Sequence, residues 1–391
     1  MDNILKNILT EGSKLKLNDL KITNNTYLNP YLKKLLDDMY IAFRSDIKLS
    51  YMKAKPVSDM ANIFKEFDLS FNETNKSKLQ TDLDLMDTTM SFKLHVGKDT
   101  IKINFIMKNN ICHNLISTIL HAINTFAHLF PFNYNKLTIY VCLDTYTRNF
   151  EIDMVNKILS TASYDDVFKY LQSQSGAFTV GGVTQRYDNK ITITKIEEIV
   201  KLLYHELIHY VGLDNKLLHT NPGNFGLRIE KENLYLSEAY TEFMAVLLNT
   251  AYHTIHFVTL HITNFYTIYE QYSIFLDLEI QYSVQLVANV LKFYGYNSES
   301  YRDFFSNNGA MHTCPISIWE YVILRTQLLL NLDSVLSILD GNWKITSKNM
   351  DKIMSLMKID NNLIDALYYP MMQPLKNNIS YILLDFNWCQ V

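Results

Sequence analysis

Residues 175–212 read SGAFTVGGVTQRYDNKITITKIEEIVKLLYHELIHYVG, and a change of period inside this stretch decides the fold. Two strands are expected first, over 177–184 and 190–194, with Asp188 and Asn189 supplying the turn. The spacing then becomes helical: Ile196, Ile199, Val200, Leu203, Leu207 and Val211 form one apolar stripe. Thr194 and Glu197 have capping-box spacing, and Gly212 is placed to end the helix.

Working outward, the alternation of Ile101, Ile103 and Phe105 predicts a strand, and residues 111–130 predict a helix stopped by Pro131. Residues 137–143 (LTIYVCL) read as a second, largely buried strand, and a helix is expected over 151–172. The first ninety residues read as short helices, such as 31–43 and 57–67, joined by polar connections. Beyond Asn233 nearly everything reads as helix: 234–249, an aromatic-rich stretch over 253–276, 281–294 and 316–332. The expected class is α+β, divided into a mainly helical region 1–97, a mixed core 98–250 and a helical lobe 251–391.

Composition narrows the classes of function. The 36 basic and 40 acidic residues leave a formal net charge of -4, and no Lys/Arg block interleaved with aromatics is present, which argues against nucleic acid as a partner. Cys112, Cys142, Cys314 and Cys389 lack CxxC spacing, as expected of free thiols in a reducing compartment. The start MDNILKNILTEGSKLK has no basic segment followed by an apolar one, and the greasy stretch 316–332 is interrupted by Glu320 and Arg325. An intracellular, cytoplasmic protein without a membrane span is expected. The 26 Tyr, set against only 11 Gly and 7 Pro, suit an AT-rich coding sequence of the kind found in many large DNA viruses and some parasites.

The chemistry resides in His205-Glu206-Leu207-Ile208-His209, an HExxH motif. Residues four apart on a helix share a face, so two imidazoles can bind one ion while the neighbouring carboxylate reaches a water on it. Given 11 His and 40 acidic residues, a chance match arises in on the order of one such chain in a hundred. Catalytic zinc takes a third protein ligand and keeps one open position. Glu238, in LSEAYTEFMAV, is the best candidate, and Glu242 one turn later shares its face. Glu242 can then accept a hydrogen bond from the far nitrogen of a ligand histidine. HELIHYVGLDN also begins like the longer HExxHxxGxxH motif, but Asn215 stands at its last position and Asp214 is one residue out of register. His219 is a further candidate. His121 and His128, and the group His253, His256 and His261, lack an acidic partner at ligand spacing and read as ordinary helix residues.

At these residues the chain resembles the gluzincin group of zinc metallopeptidases, in which an HExxH helix is followed by a second helix carrying a Glu ligand. Glu238 with Glu242 matches the spacing of the thermolysin-like peptidases. The resemblance covers roughly 100–249. It implies a zincin-like bilobal catalytic unit, one zinc per chain, and hydrolysis of a peptide or protein substrate with Glu206 as general base. By the same analogy Phe178, Thr179 and Val180 line the cleft and pair with the substrate backbone. An oxyanion-stabilising group is also expected, for which His312 and Tyr321 in NNGAMHTCPISIWEY are the candidates. The rival expectation is an inactive, zinc-stabilised scaffold such as a virion component; retention of Glu206 counts against it, because zinc binding alone does not need that carboxylate.

Overall fold

A computed structural model of the chain describes residues 28–65, 81, 83–108, 113–143, 150–173, 181–217, 219–230, 233–261, 266–306, 311–312, 318–376 and 380–384. The class is α+β, and the chain divides into two compact units.

One unit draws on residues 36–148 and 172–212 and is built on a six-stranded mixed sheet. Its strands are β1 (Lys48–Tyr51), β2 (Thr88–Val96), β3 (Asp99–Met107), β4 (Thr138–Cys142), β5 (Gly182–Gln185) and β6 (Lys190–Ile193), in the order β1-β2-β3-β4-β6-β5. β3, β4 and β6 run parallel, whereas β5 lies antiparallel to β6 at the edge. Helix α1 (His113–Leu129) makes the crossover from β3 to β4. Ile101, Ile103, Phe105, Ile139, Val141, Ile191 and Ile193 are buried on one face of the sheet, and Asn104, Ile106, Cys142 and Thr192 are buried on the other, as parallel strands covered on both faces require. Met60, Phe64, Leu83 and Met86 cover one of those faces, packing on Ile106, Tyr140 and Cys142.

Two expectations for this unit are corrected. The division at residue 97 cuts a β-hairpin, since Val96 pairs with Asp99 across a two-residue turn whose Gly97 has φ +57°. The sheet thus includes β1 and β2 from the supposedly helical first region. The second correction concerns the start of the HExxH helix, α2 (Ile199–Val211). Thr194 does not cap it; its N–H and hydroxyl both reach the Gly181 carbonyl, at 2.8 and 3.3 Å, and prolong the hairpin. The helix instead follows Glu198, held at φ +61°, a left-handed conformation that costs a non-glycine residue roughly 1–2 kcal/mol. The fully buried Glu198 carboxylate stands 3.4 Å from the equally buried Lys201 ammonium. At the other end Gly212 closes the helix as expected, at φ +76°, its N–H reaching the Ile208 and His209 carbonyls.

The other unit takes in residues 28–35, 150–171 and 213–384 among those described. Its centre is a pair of long helices, α3 (Leu236–His261, 26 residues) and α4 (Tyr266–Phe293, 28 residues). The expected boundary at residue 250 falls inside α3, and the stretch 253–276 holds the end of one described helix, α3, and the beginning of another, α4, with 262–265 outside the described residues. The helix expected over 151–172 is also two, Ile152–Thr161 and Tyr164–Ser173. Ser163 restarts it, donating its hydroxyl to Asp166 Oδ2 at 3.0 Å. Farther on, Trp319–Leu324 winds as a π-helix before Arg325–Leu330 resumes the α form. Among the described residues Ile268–Phe293 is long and apolar enough to cross a membrane, and 78% of its apolar window is buried in the fold.

Candidate metal centre

Helix α2 is buried along almost its whole length, and the edge strand β5 approaches it closely. Gly181 and Gly182 make that approach possible: a Cβ at 181 would stand 2.8 Å from Leu202 Cδ2, and one at 182 would stand 2.7 Å from Glu206 Oε1. His205 and His209, one turn apart, present their Nε2 atoms 3.1 Å from each other, with ring planes at 77°. Two imidazole nitrogens bound to one tetrahedral zinc are about 3.3–3.4 Å apart, so the pair suits the ion without rearranging. Glu206 points to β5, where the Thr184 hydroxyl lies 2.6 Å from its Oε2.

Glu238 lies in the first turn of α3 and is half-buried. The start of α3 is tied down by Glu320, whose Oε1 accepts the Tyr235 N–H at 2.9 Å. Glu242, one turn on, is buried, its Oε2 4.0 Å from an Arg325 guanidinium nitrogen. Arg325 is itself held by the Tyr381 carbonyl at 2.6 Å and the Ser283 hydroxyl at 3.2 Å. His205 and His209 form a histidine pair able to share a metal ion, and Glu238 offers a carboxylate from the first turn of α3.

The remaining candidates are not part of that group. Asn215 is exposed, and His219 sits in a two-stranded ribbon with its ring edge-on to Tyr235. His121 Nε2 meets the Phe43 carbonyl at 2.9 Å, and burial lowers its pKa. His253 is buried in α3, which pushes its pKa down to about 3. His312 is 3% exposed. Rings of Tyr164, Tyr294, Tyr296 and Phe304 enclose it, and its Nε2 lies 2.8 Å from the Tyr296 hydroxyl. The expected oxyanion role gains no support from that enclosure. Tyr321 is half-buried on the π-helix, its ring 6.1 Å from that of Tyr381. Phe178, Thr179 and Val180 lie outside the described residues.

Sequence reasoning passed over Thr184, Glu320 and Arg325. A signal existed for the first: paired glycines entering a strand mark a close backbone approach, and Thr184 shares the face of Gly182. The buried roles of Glu320 and Arg325 depend on partners 85 and 56 residues away, which no local pattern reveals.

No known protein family and no solved structure matches the chain. The uncharacterized protein R210 of Acanthamoeba polyphaga mimivirus is 41% identical over 386 residues, an alignment spanning 97% of this chain and 98% of that protein. Agreement of that degree along nearly the full length of both places the chain in one family with the mimivirus protein R210.

Proposed function

We propose that the chain is a zinc-dependent peptide hydrolase of gluzincin type, with His205, His209 and Glu238 as metal ligands and Glu206 as general base. The convergence of the two Nε2 atoms at 3.1 Å, on the helix face next to Glu206, carries this reading. Glu238, the acidic residue in the first turn of the helix that follows, is the donor that completes three protein ligands. Glu242, in this reading, accepts the second ring nitrogen of a ligand histidine and so fixes its tautomer.

Bound zinc supplies a Lewis acid and lowers the pKa of a coordinated water toward roughly 7. Glu206 accepts the proton of the attacking water on its carboxylate. As water oxygen bonds to the peptide carbonyl carbon and the C–N bond breaks, Glu206 passes that proton to the leaving nitrogen. No covalent bond to the protein is needed. Strand β5, antiparallel to β6 and last in the sheet among the described residues, offers main-chain N–H and C=O groups to an extended substrate. A mixed sheet with such an edge strand beside the HExxH helix agrees with a zincin-like arrangement. The viral relative suits a virus-encoded peptidase acting in host cytoplasm or virion.

The test is metal analysis of the purified protein with Glu206→Gln beside it. About one zinc per chain is expected in both, with hydrolysis of a casein substrate lost in the variant by about 1,000-fold or more. Equal rates in the two proteins would remove Glu206 from its role. Zinc in both without hydrolysis in either would favour the inactive scaffold.

A further inference from the structure

We propose that Thr184 is a positioning residue for Glu206, so that the edge strand sets where the carboxylate of the base stands; this rests on the metallopeptidase reading above. Residues two apart in a strand share a face, so Gly182 and Thr184 both address Glu206. At position 182 a Cβ would come within 2.8 Å of Glu206 Cγ, and the missing side chain lets the glutamate lie against the strand. At position 184 the hydroxyl stands 2.6 Å from Oε2, within the range of a short O–H···O⁻ bond to a charged acceptor. The same hydroxyl is 2.9 Å from the Glu206 carbonyl oxygen. Its single proton goes to the nearer, charged oxygen, because hydrogen bonds to ionised acceptors are roughly twice as strong as neutral ones.

The consequence is pre-organisation. A glutamate side chain loses rotamer freedom when ordered, and here the fold has met much of that cost before a substrate arrives. A carboxylate offers about four lone-pair positions, of which Thr184 uses one. The strand that would pair with a peptide backbone is thereby the strand that holds the base, and substrate register and base position are set by the same four residues, Gly182–Gln185.

Thr184→Val keeps the side-chain shape and removes the donor, whereas Thr184→Ser keeps the donor. Each protein is loaded with Co2+, whose visible absorption reports the geometry around the ion, and assayed on fluorescein-labelled casein. Expected for Thr184→Val is one Co2+ per chain and a melting temperature within about 2 °C of the parent. Its Co2+ spectrum should be altered and its kcat lower by about 10-fold or more at unchanged KM, with Thr184→Ser restoring both. A Val variant matching the parent in spectrum and kcat overturns the positioning role and leaves the metal reading standing. So does a loss of stability and activity shared equally by Val and Ser, which would make Thr184 structural. A parent that takes up no Co2+ overturns the metal reading and this inference with it.

Discussion

Two pairs of histidines lie on buried helices of this protein, and they have little else in common. On α2, His205 and His209 are four residues apart, and their Nε2 atoms meet at 3.1 Å. On α3, His253 and His256 are three apart; His253 is buried beside Tyr252, and His256 lies parallel to the Tyr252 ring at 6.3 Å. Either spacing brings side chains to one face of a helix, so periodicity alone cannot tell a ligand pair from a packing pair. Environment does. The first pair, proposed above to bind zinc, has Glu206 between its members. The second has apolar surroundings that make a charged imidazole costly, and His253 is held neutral down to about pH 3.

The largest effect that would break this contrast is on metal content. His205→Ala and His209→Ala should each reduce zinc from about one per chain to near zero, while His253→Leu should leave it unchanged. Inductively coupled plasma analysis of the three variants reads this directly; zinc retained in the α2 variants and lost from the α3 variant would reverse the assignment. Next in size is the stabilisation that a bound ion supplies. With free zinc at about 100 times its dissociation constant, the folded state gains about 2.7 kcal/mol, so stripping the metal should lower the melting temperature by roughly 5–10 °C. The shift should disappear in His205→Ala and persist in His253→Leu.

A third expectation concerns acid. The folded pKa of His253 lies below its ordinary value because burial disfavours the cation. The stability tied to its neutral form is therefore complete above pH 6.5 and is lost as pH falls toward 3. In that window the loss approaches about 1.4 kcal/mol per pH unit for this one group. His253→Leu should flatten the acid limb of a urea-denaturation profile between pH 6 and 4. An unchanged limb would place the acid sensitivity elsewhere.

The same contrast explains how much could be read from the sequence. The β5–β6 hairpin and α2 were legible because alternation gives way to helical spacing within a few residues, and HExxH was legible because its geometry is local to one turn. The start of α2 was not: a left-handed Glu198 and a buried Lys201 depend on what packs around them. Strand β1 escaped notice because it is four residues long and all of them are exposed: Lys48-Leu49-Ser50-Tyr51 alternates, but over too short a run to separate strand from loop. The burial of His312 has no local signal, because the rings that enclose it come from Tyr164, Tyr294 and Phe304. Contacts of that range leave no periodic trace in the chain.

The smallest effect sharpens the comparison by reversing its sign. Asp277, on α4, is also shifted by burial, but as an acid it moves up, from 3.8 to about 6. Its folded form holds the proton more tightly than the unfolded chain does. The stability it contributes is thus complete below pH 3.8 and is lost as pH rises through about 6. Asp277→Asn should therefore raise the melting temperature at pH 8 and leave it unchanged near pH 3.5. Because the residue is only partly buried, solvent screening reduces the expected gain to about 1 kcal/mol, a few degrees at most. Opposite pH dependences for His253 and Asp277 would show desolvation acting on both, whereas a gain at both pH values for Asp277→Asn would mean that the carboxylate is disfavoured by something other than its charge.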